Sequence, residues 1–138
     1  MRTIIDGLIV REGSVLLAKR SARRTSYAGQ WSFPAGHVEQ NETLTEALTR
    51  ELREEIGIIP TEFTHLGLIK DPNVPASASI NYHMYRVTRL DGGEPSLLCD
   101  EQSELTWKTF DSTATMLDLA LDEYRNLFLM LKELNIRP

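Results

Sequence analysis

The sequence has a single cysteine, Cys99, so no intrachain disulfide can form. The fold must be held by its core, and a reducing compartment suits it. No apolar run approaches the ~20 residues needed to cross a bilayer. The stretch MRTIIDGLIVREG has too short an apolar run for a secretion signal and carries Asp6 inside it. We therefore expect a cytoplasmic protein with no membrane partner. Positive charge is also scarce. Fifteen Lys and Arg stand against twenty Asp and Glu, for a net charge of −5. That argues against a broad electrostatic nucleic-acid binder, and no nucleic-acid partner is expected. Internal repeats, low-complexity tracts and linkers are missing too.

What is present reads as one domain over residues 1–138. The balance of 41% hydrophobic and 25% charged residues is globular. A chain of this length buries roughly two-thirds of its unfolded surface, enough for an independent core. Thr3 to Val10 is rich in β-branched residues and predicts a strand. Glu12-Gly13 predicts a hairpin turn, and Val15 to Lys19 the partner strand. Residues 20–30 form a polar, basic loop. Trp31 to Phe33 predicts a short strand stopped by Pro34 and Gly36. Further strands are expected at Phe63 to Ile69, Ile80 to Arg89 and Leu105 to Phe110. A closing amphipathic helix is expected from Asp118 to Leu134, with a stripe of Leu117, Leu121, Tyr124, Phe128, Leu131 and Leu134. Strands and two helices in this order predict an α/β domain whose mixed sheet is covered on its faces.

The best-signalled helix lies between these strands. Thr43-Leu44-Thr45-Glu46 fits a capping box. Leu44, Ala47, Leu48, Leu52 and Ile56 recur at three- and four-residue intervals and form an apolar stripe. Gly57 ends the helix and Pro60 prevents its continuation. Placing residues at ~100° per step exposes an anomaly. Glu46, Arg50 and Arg53 fall on the far side, where solvated charges belong. Glu51 and Glu55 fall beside or within the apolar stripe, and Glu54 flanks it. Like charges at this spacing repel, and turning them inward adds desolvation. Clustered hard oxygen ligands suit Mg²⁺ or Mn²⁺. On the helix alone, a solvated acidic face bridged to Arg50 and Arg53 is the competing reading.

The segment Gly36 to Ile58, GHVEQNETLTEALTRELREEIGI, decides between them. It resembles the Nudix box, G-x5-E-x7-R-E-U-x-E-E-x-G-U, with U a bulky aliphatic residue. Gly36, Glu42, Arg50-Glu51-Leu52, Glu54-Glu55 and Gly57-Ile58 match all nine specified positions, seven of which demand one residue type. The approach Gly29-Gln30-Trp31-Ser32-Phe33-Pro34-Ala35 and the later Glu101-Gln102-Ser103-Glu104-Leu105-Thr106-Trp107 are similar to family segments as well.

The resemblance implies an α/β/α sandwich with a mixed central sheet and a loop–helix–loop catalytic motif. By position it makes Glu51, Glu54 and Glu55 metal-site carboxylates and the Gly36 carbonyl a further ligand. Glu101 is the carboxylate from a later loop, with Glu104 competing. Arg50 orients a box carboxylate, and Glu42 supports ligands and water. Glu51 or Glu54 is the favoured general base, with Glu101 in reserve. Mg²⁺, with Mn²⁺ as a substitute, would let an acidic pocket attract a phosphate. Arg20 is the candidate phosphate contact, with Lys19, Arg23 and Arg24 as alternatives. Phe33 and His83 are candidate substrate contacts. Trp31 and Tyr27 are possible stacking rings, and His37 and His65 receive no role.

The expected ligand is a small nucleotide-like molecule. A nucleoside triphosphate cut to monophosphate and pyrophosphate is favoured, as in MutT-like proteins. A nucleoside diphosphate linked to a sugar or another group is the alternative substrate, and a nucleotide-binding domain without catalysis is the alternative class. A monomer or a homodimer fits equally.

Overall fold

The computed structural model describes residues 2–23 and 27–136. Strand β1 (Arg2–Arg11) and strand β2 (Ser14–Arg20) meet in a tight turn at Glu12 and Gly13, whose φ values are 49° and 77°. Two positive φ values give the turn that matches the natural twist of a hairpin. Then come β3 (Trp31–Ser32), β4 (Ala35–His37), α1 (Leu44–Ile56), β5 (Ile59–Lys70), β6 (Ile80–Asp91), β7 (Gln102–Thr109), α2 (Phe110–Ala114) and α3 (Tyr124–Ile136). The sheet runs β3-β2-β1-β6-β5, with β4 added to β1 and β7 to β2. Among the named strands of the described residues only the β1–β6 pair is parallel, from Arg2 opposite Ile80 to Ile9 opposite Val87. The sheet is therefore mixed, as expected.

Strand β1 changes partner along its length. Ile4 to Asp6 pair with β4, whereas Val10 and Arg11 pair with β2. This fork brings the start of the box against the central strand. Alternation along the strands then divides the core. Ile5, Ile9, Leu16, Tyr85 and Val87 face Ala47, Leu48, Leu52 and Ile56 of α1. Leu8, Val15, Leu17 and Met84 face the opposite layer, with Phe33 and the α3 residues Tyr124, Phe128 and Leu131. Two helical layers around one sheet make the α/β/α sandwich.

Helix α1 starts as its sequence dictates. The Glu46 amide donates to Thr43 Oγ1 at 3.1 Å, and the Thr43 amide donates to Glu46 Oε1 at 2.9 Å. Gly57 closes it at φ 73°, a left-handed position that a side chain would strain. Leu48, Leu52 and Ile56 are fully buried, each contributing roughly 1.5–3 kcal/mol. That is enough to hold the helix on the sheet although it also carries a charged residue inward.

Three expectations are corrected. Pro34 interrupts rather than ends the extended run, so β3 stops at Ser32 and β4 follows. Phe110 opens α2, where Thr109 Oγ1 caps the Ser112 amide at 3.2 Å, instead of closing a strand. The last helix begins at Tyr124, not Asp118. Residues 118–120 are extended against Trp31: the Trp31 amide donates to the Asp118 carbonyl and the Ala120 amide to the Trp31 carbonyl. That backbone pairing outcompetes the helical period, and Leu117, expected in the stripe, is 95% exposed. No helix among the described residues is long and apolar enough to cross a membrane.

Candidate active site

The segment 36–57 folds as strand, loop and helix around one guanidinium. Arg50 donates from Nε to Glu42 Oε2 at 2.7 Å and from Nη2 to Glu42 Oε1 at 2.9 Å. Its Nη1 donates to Glu51 Oε1 at 2.7 Å and to Glu54 Oε2 at 3.3 Å, and its Nη2 to the His37 carbonyl at 2.9 Å. The far-side, solvated position expected for Arg50 is thus wrong. The loop before α1 folds over that side of the helix and brings Glu42 to meet it. Arg50 holds the Glu42 carboxyl down at about 2. Glu42 also accepts from the Glu39 amide at 3.0 Å, which fixes the loop to the helix.

Glu51 lies under β4. A Cβ at Gly36 would stand 2.0 Å from Glu51 Cδ, so only glycine admits this carboxylate. Burial raises the Glu51 carboxyl, Arg50 opposes that, and the charges of Glu54 and Glu101 add to it. One turn on, Glu55 is 3% exposed. Its Oε1 accepts from Gln102 Nε2 at 3.2 Å, and its Oε2 has no hydrogen-bond partner among the described residues. Burial, then the neighbouring Glu51 and Glu101 carboxylates, push Glu55 up to about 8, against the hydrogen bonds from Gln102 and the Ala35 amide. The inward turn of Glu51 and Glu55 is therefore real, and Glu54 stays exposed at the rim. Arg53 is exposed.

Beside this cluster lies a cavity of ≈ 510 Å³ whose wall includes Gly36, Glu101, Arg20, Tyr27, Tyr82 and Asp6. Glu101 reaches both the cavity and the charges of Glu51 and Glu55, whereas Glu104 accepts from Thr106 Oγ1 within β7. Arg20 is half-buried, with its guanidinium 6.0 Å from the Tyr27 ring centre. A β-bulge between Lys19 and Arg20 turns Arg20 toward this side. Lys19 instead lies 5.9 Å over Trp31, and Arg23 pairs with Asp100 at 3.0 Å on the surface. Arg24 lies outside the described residues.

Two candidate substrate contacts fall elsewhere. Phe33 is 1% exposed and packs edge-on against Tyr124 at 4.8 Å and Phe128 at 5.9 Å, so it is core and has no surface for a ligand. His83 is on the α1 face of β6, with its Nδ1 3.0 Å from His65 Nε2. The cavity opens on the other face, where Tyr82 points. Alternation told the faces apart but not which one carries the cavity.

Sequence reasoning missed three groups. Gln102 holds Glu55 from β7. Asp71 is buried and accepts from the hydroxyls of Tyr27 at 2.7 Å and Tyr82 at 3.2 Å and from the Asn73 amide at 2.8 Å. Asp6 is 0% exposed, and neither of its oxygens has a hydrogen-bond partner among the described residues. A carboxylate inside the apolar run Ile4-Ile5-Asp6-Gly7-Leu8-Ile9 was a readable signal for the last of these.

This geometry and the fold around it belong to a known class. The family model described as the NUDIX domain matches residues 1–129, and the chain belongs to the Nudix hydrolase family. It is 34% identical over 107 residues to the CTP pyrophosphohydrolase of Escherichia coli K12, across 78% of this chain and 75% of that protein. It is 45% identical to the nucleoside triphosphatase NudI of Escherichia coli O139:H28 over 65 residues, which is 46% of each chain. Among solved structures, a MutT NUDIX hydrolase from Burkholderia pseudomallei superposes with a TM-score of 0.80 at 28% identity, covering 93% of this chain and 95% of that one. The E. coli ORF135 protein gives 0.79 at 29% identity, covering 100% and 94%.

Nudix enzymes generally use divalent cations, and the residues here fit one. The carboxylate donor set is of the hard-oxygen type. Glu55 Oε2 is buried with no partner among the described residues, and the bare backbone at Gly36 lets the Glu51 carboxylate come up against it. Among the described residues no three His, Cys, Asp or Glu side chains close on one point. Mg²⁺ does not require that, since it keeps several waters and takes one or two carboxylates alongside substrate phosphates.

Proposed function

We propose that this chain, acting as one domain over residues 1–138, hydrolyses nucleoside triphosphates to the monophosphate and pyrophosphate with Mg²⁺. The observation that carries the reading is the meeting of the buried carboxylates with the ≈ 510 Å³ cavity, which share Gly36 and Glu101. The relatives named for CTP and nucleoside triphosphates support the substrate class. Glu51, Glu54, Glu55, Glu101 and the Gly36 carbonyl would supply the ligands for one or more cations, one or two carboxylates to each. When bound, Mg²⁺ neutralises phosphate charge, polarises a phosphoryl oxygen and acidifies water.

The chain's own groups do the rest. Glu51 is the better placed general base: it is half-buried, and burial raises its proton affinity toward the operating range. Glu54 is the more exposed alternative. Arg50 fixes the Glu51 carboxylate, and Glu42 fixes Arg50. Arg20, on the cavity wall, binds phosphate oxygens.

The test is a panel of nucleoside triphosphates and nucleotide sugars with Mg²⁺, reading phosphate and pyrophosphate released. Pyrophosphate release from a triphosphate, lost with chelator, is expected. Turnover of nucleotide sugars alone would overturn the substrate assignment, full activity in excess chelator would overturn the cation, and nucleotide binding without turnover would overturn catalysis.

A further inference from the structure

Asp6 takes no part in the chemistry above, yet it sits in the wall of the same cavity. Asp71 offers a direct comparison, since it too is buried and lines that cavity. The fold gives Asp71 two tyrosine hydroxyls and a backbone amide. It gives Asp6 no hydrogen-bond donor among the described residues, although Asp6 is the more buried of the two. Buried polar groups are nearly always paired, and leaving one unpaired is costly. An apolar residue at this place in β1, between the Ala35 and Met84 partners, would avoid that cost. A carboxyl kept there, in a cavity, calls for a donor that arrives with the ligand.

We infer that Asp6 is the specificity-determining residue of this site, pairing edge-on with the hydrogen-bonding edge of a nucleobase. This rests on the nucleotide reading above. A carboxyl presents two oxygens side by side in one plane, which matches the adjacent polar atoms on the pairing edge of a base. A phosphate offers only acceptors, so it would leave the Asp6 carbonyl oxygen without a donor. The tyrosine rings at 27, 82 and 124 in the same wall suit a planar, apolar-faced group. Asp6 is fully buried, so the base reaches it only as the side chains above it shift. Recognition is then coupled to that rearrangement.

Asp6→Leu and Asp6→Asn test the assignment with nucleoside 5′-triphosphates against ribose 5-triphosphate, which lacks the base. In Asp6→Leu, kcat/KM for the preferred nucleoside triphosphate should fall roughly tenfold or more, with ribose 5-triphosphate within about threefold of wild type. Its melting temperature should hold or rise, because an unpaired buried carboxyl has gone. Asp6→Asn keeps a carbonyl acceptor beside a donor, as the neutral buried carboxyl has, so its loss should be smaller. Equal losses on both substrates would overturn the inference, because a ribose-reading or merely structural carboxyl acts on both. If Asp6→Leu does not fold, equal losses on both substrates in Asp6→Ala overturn it instead. Calorimetric binding of nucleoside monophosphates against ribose 5-phosphate reads the same contrast without turnover. A wild type that cleaves no nucleoside triphosphate refutes the proposed reaction. A wild-type base preference that Asp6→Leu leaves intact refutes only the role of Asp6.

Discussion

Replacing Glu55 by Gln keeps the shape of the side chain and removes its ability to ionise. In the unfolded chain Glu55 releases its proton near 4.5, and in the folded protein near about 8. Between those values the folded state binds more protons than the unfolded state, so stability falls as pH rises. From 4.5 to neutral pH the loss is about 3 kcal/mol, at 1.36 kcal/mol per unit. The glutamine avoids this cost but buries an amide whose second donor is unmet, which takes back roughly 1–3 kcal/mol. The cation-free variant should therefore be as stable as wild type or up to about 2 kcal/mol more stable at pH 7–7.5, a rise of up to roughly 7 °C for a chain this long. At pH 5 the loss in wild type is below about 1 kcal/mol, so that advantage should vanish or reverse. Added Mg²⁺ should raise the wild-type melting temperature, with about 2.7 kcal/mol available at a hundred times Kd, and raise the variant's less. Turnover should fall at least about a hundredfold. Thermal melts at two pH values, with and without Mg²⁺, and one activity assay provide the measurements. A variant that melts lower than wild type at pH 7.5 and still turns over near the wild-type rate refutes the reasoning.

Arg50→Lys supplies one point charge where a planar fork meets Glu42, Glu51, Glu54 and the His37 carbonyl. Stability should fall by about 1–3 kcal/mol and kcat by at least about tenfold, read by melts and kinetics. Gly36→Ala puts a methyl onto the Glu51 carboxylate, so activity should collapse while far-UV circular dichroism stays native. Arg20→Ala should lower kcat/KM about tenfold or more, since a charge-assisted phosphate contact is worth roughly 1.5–3 kcal/mol. Unchanged kinetics would move that role to Lys19, Arg23 or Arg24.

The helix α1 was legible because its signals are local: a capping residue, a three-four period and a terminal glycine lie within one stretch. The same period exposed Glu51 and Glu55. It misplaced Arg50, since a helical wheel contains no information about the loop that returns over it. The start of α3 was misread for a related reason: Asp118 to Ala120 pair with Trp31, far away in sequence. Phe33 and His83 went astray because alternation assigns a residue to a face without saying what covers that face. Gln102 and Asp71 owe their positions to strand pairing and side-chain contacts between distant segments, which no short motif encodes.

The two halves of the site are built from different stretches of backbone. Glu101 apart, the carboxylates and their arginine come from α1 and the loop between β4 and α1. Tyr27 lies on the connection after β2, and Asp71 and Asn73 lie on the connection between β5 and β6. Surface connections accept substitution and insertion far more readily than a packed helix does. Change in those two connections can reshape the cavity while the box stays fixed. The reaction and the choice of molecule are thus free to diverge at separate rates, and descendants of this fold can acquire new substrates without rebuilding the chemistry.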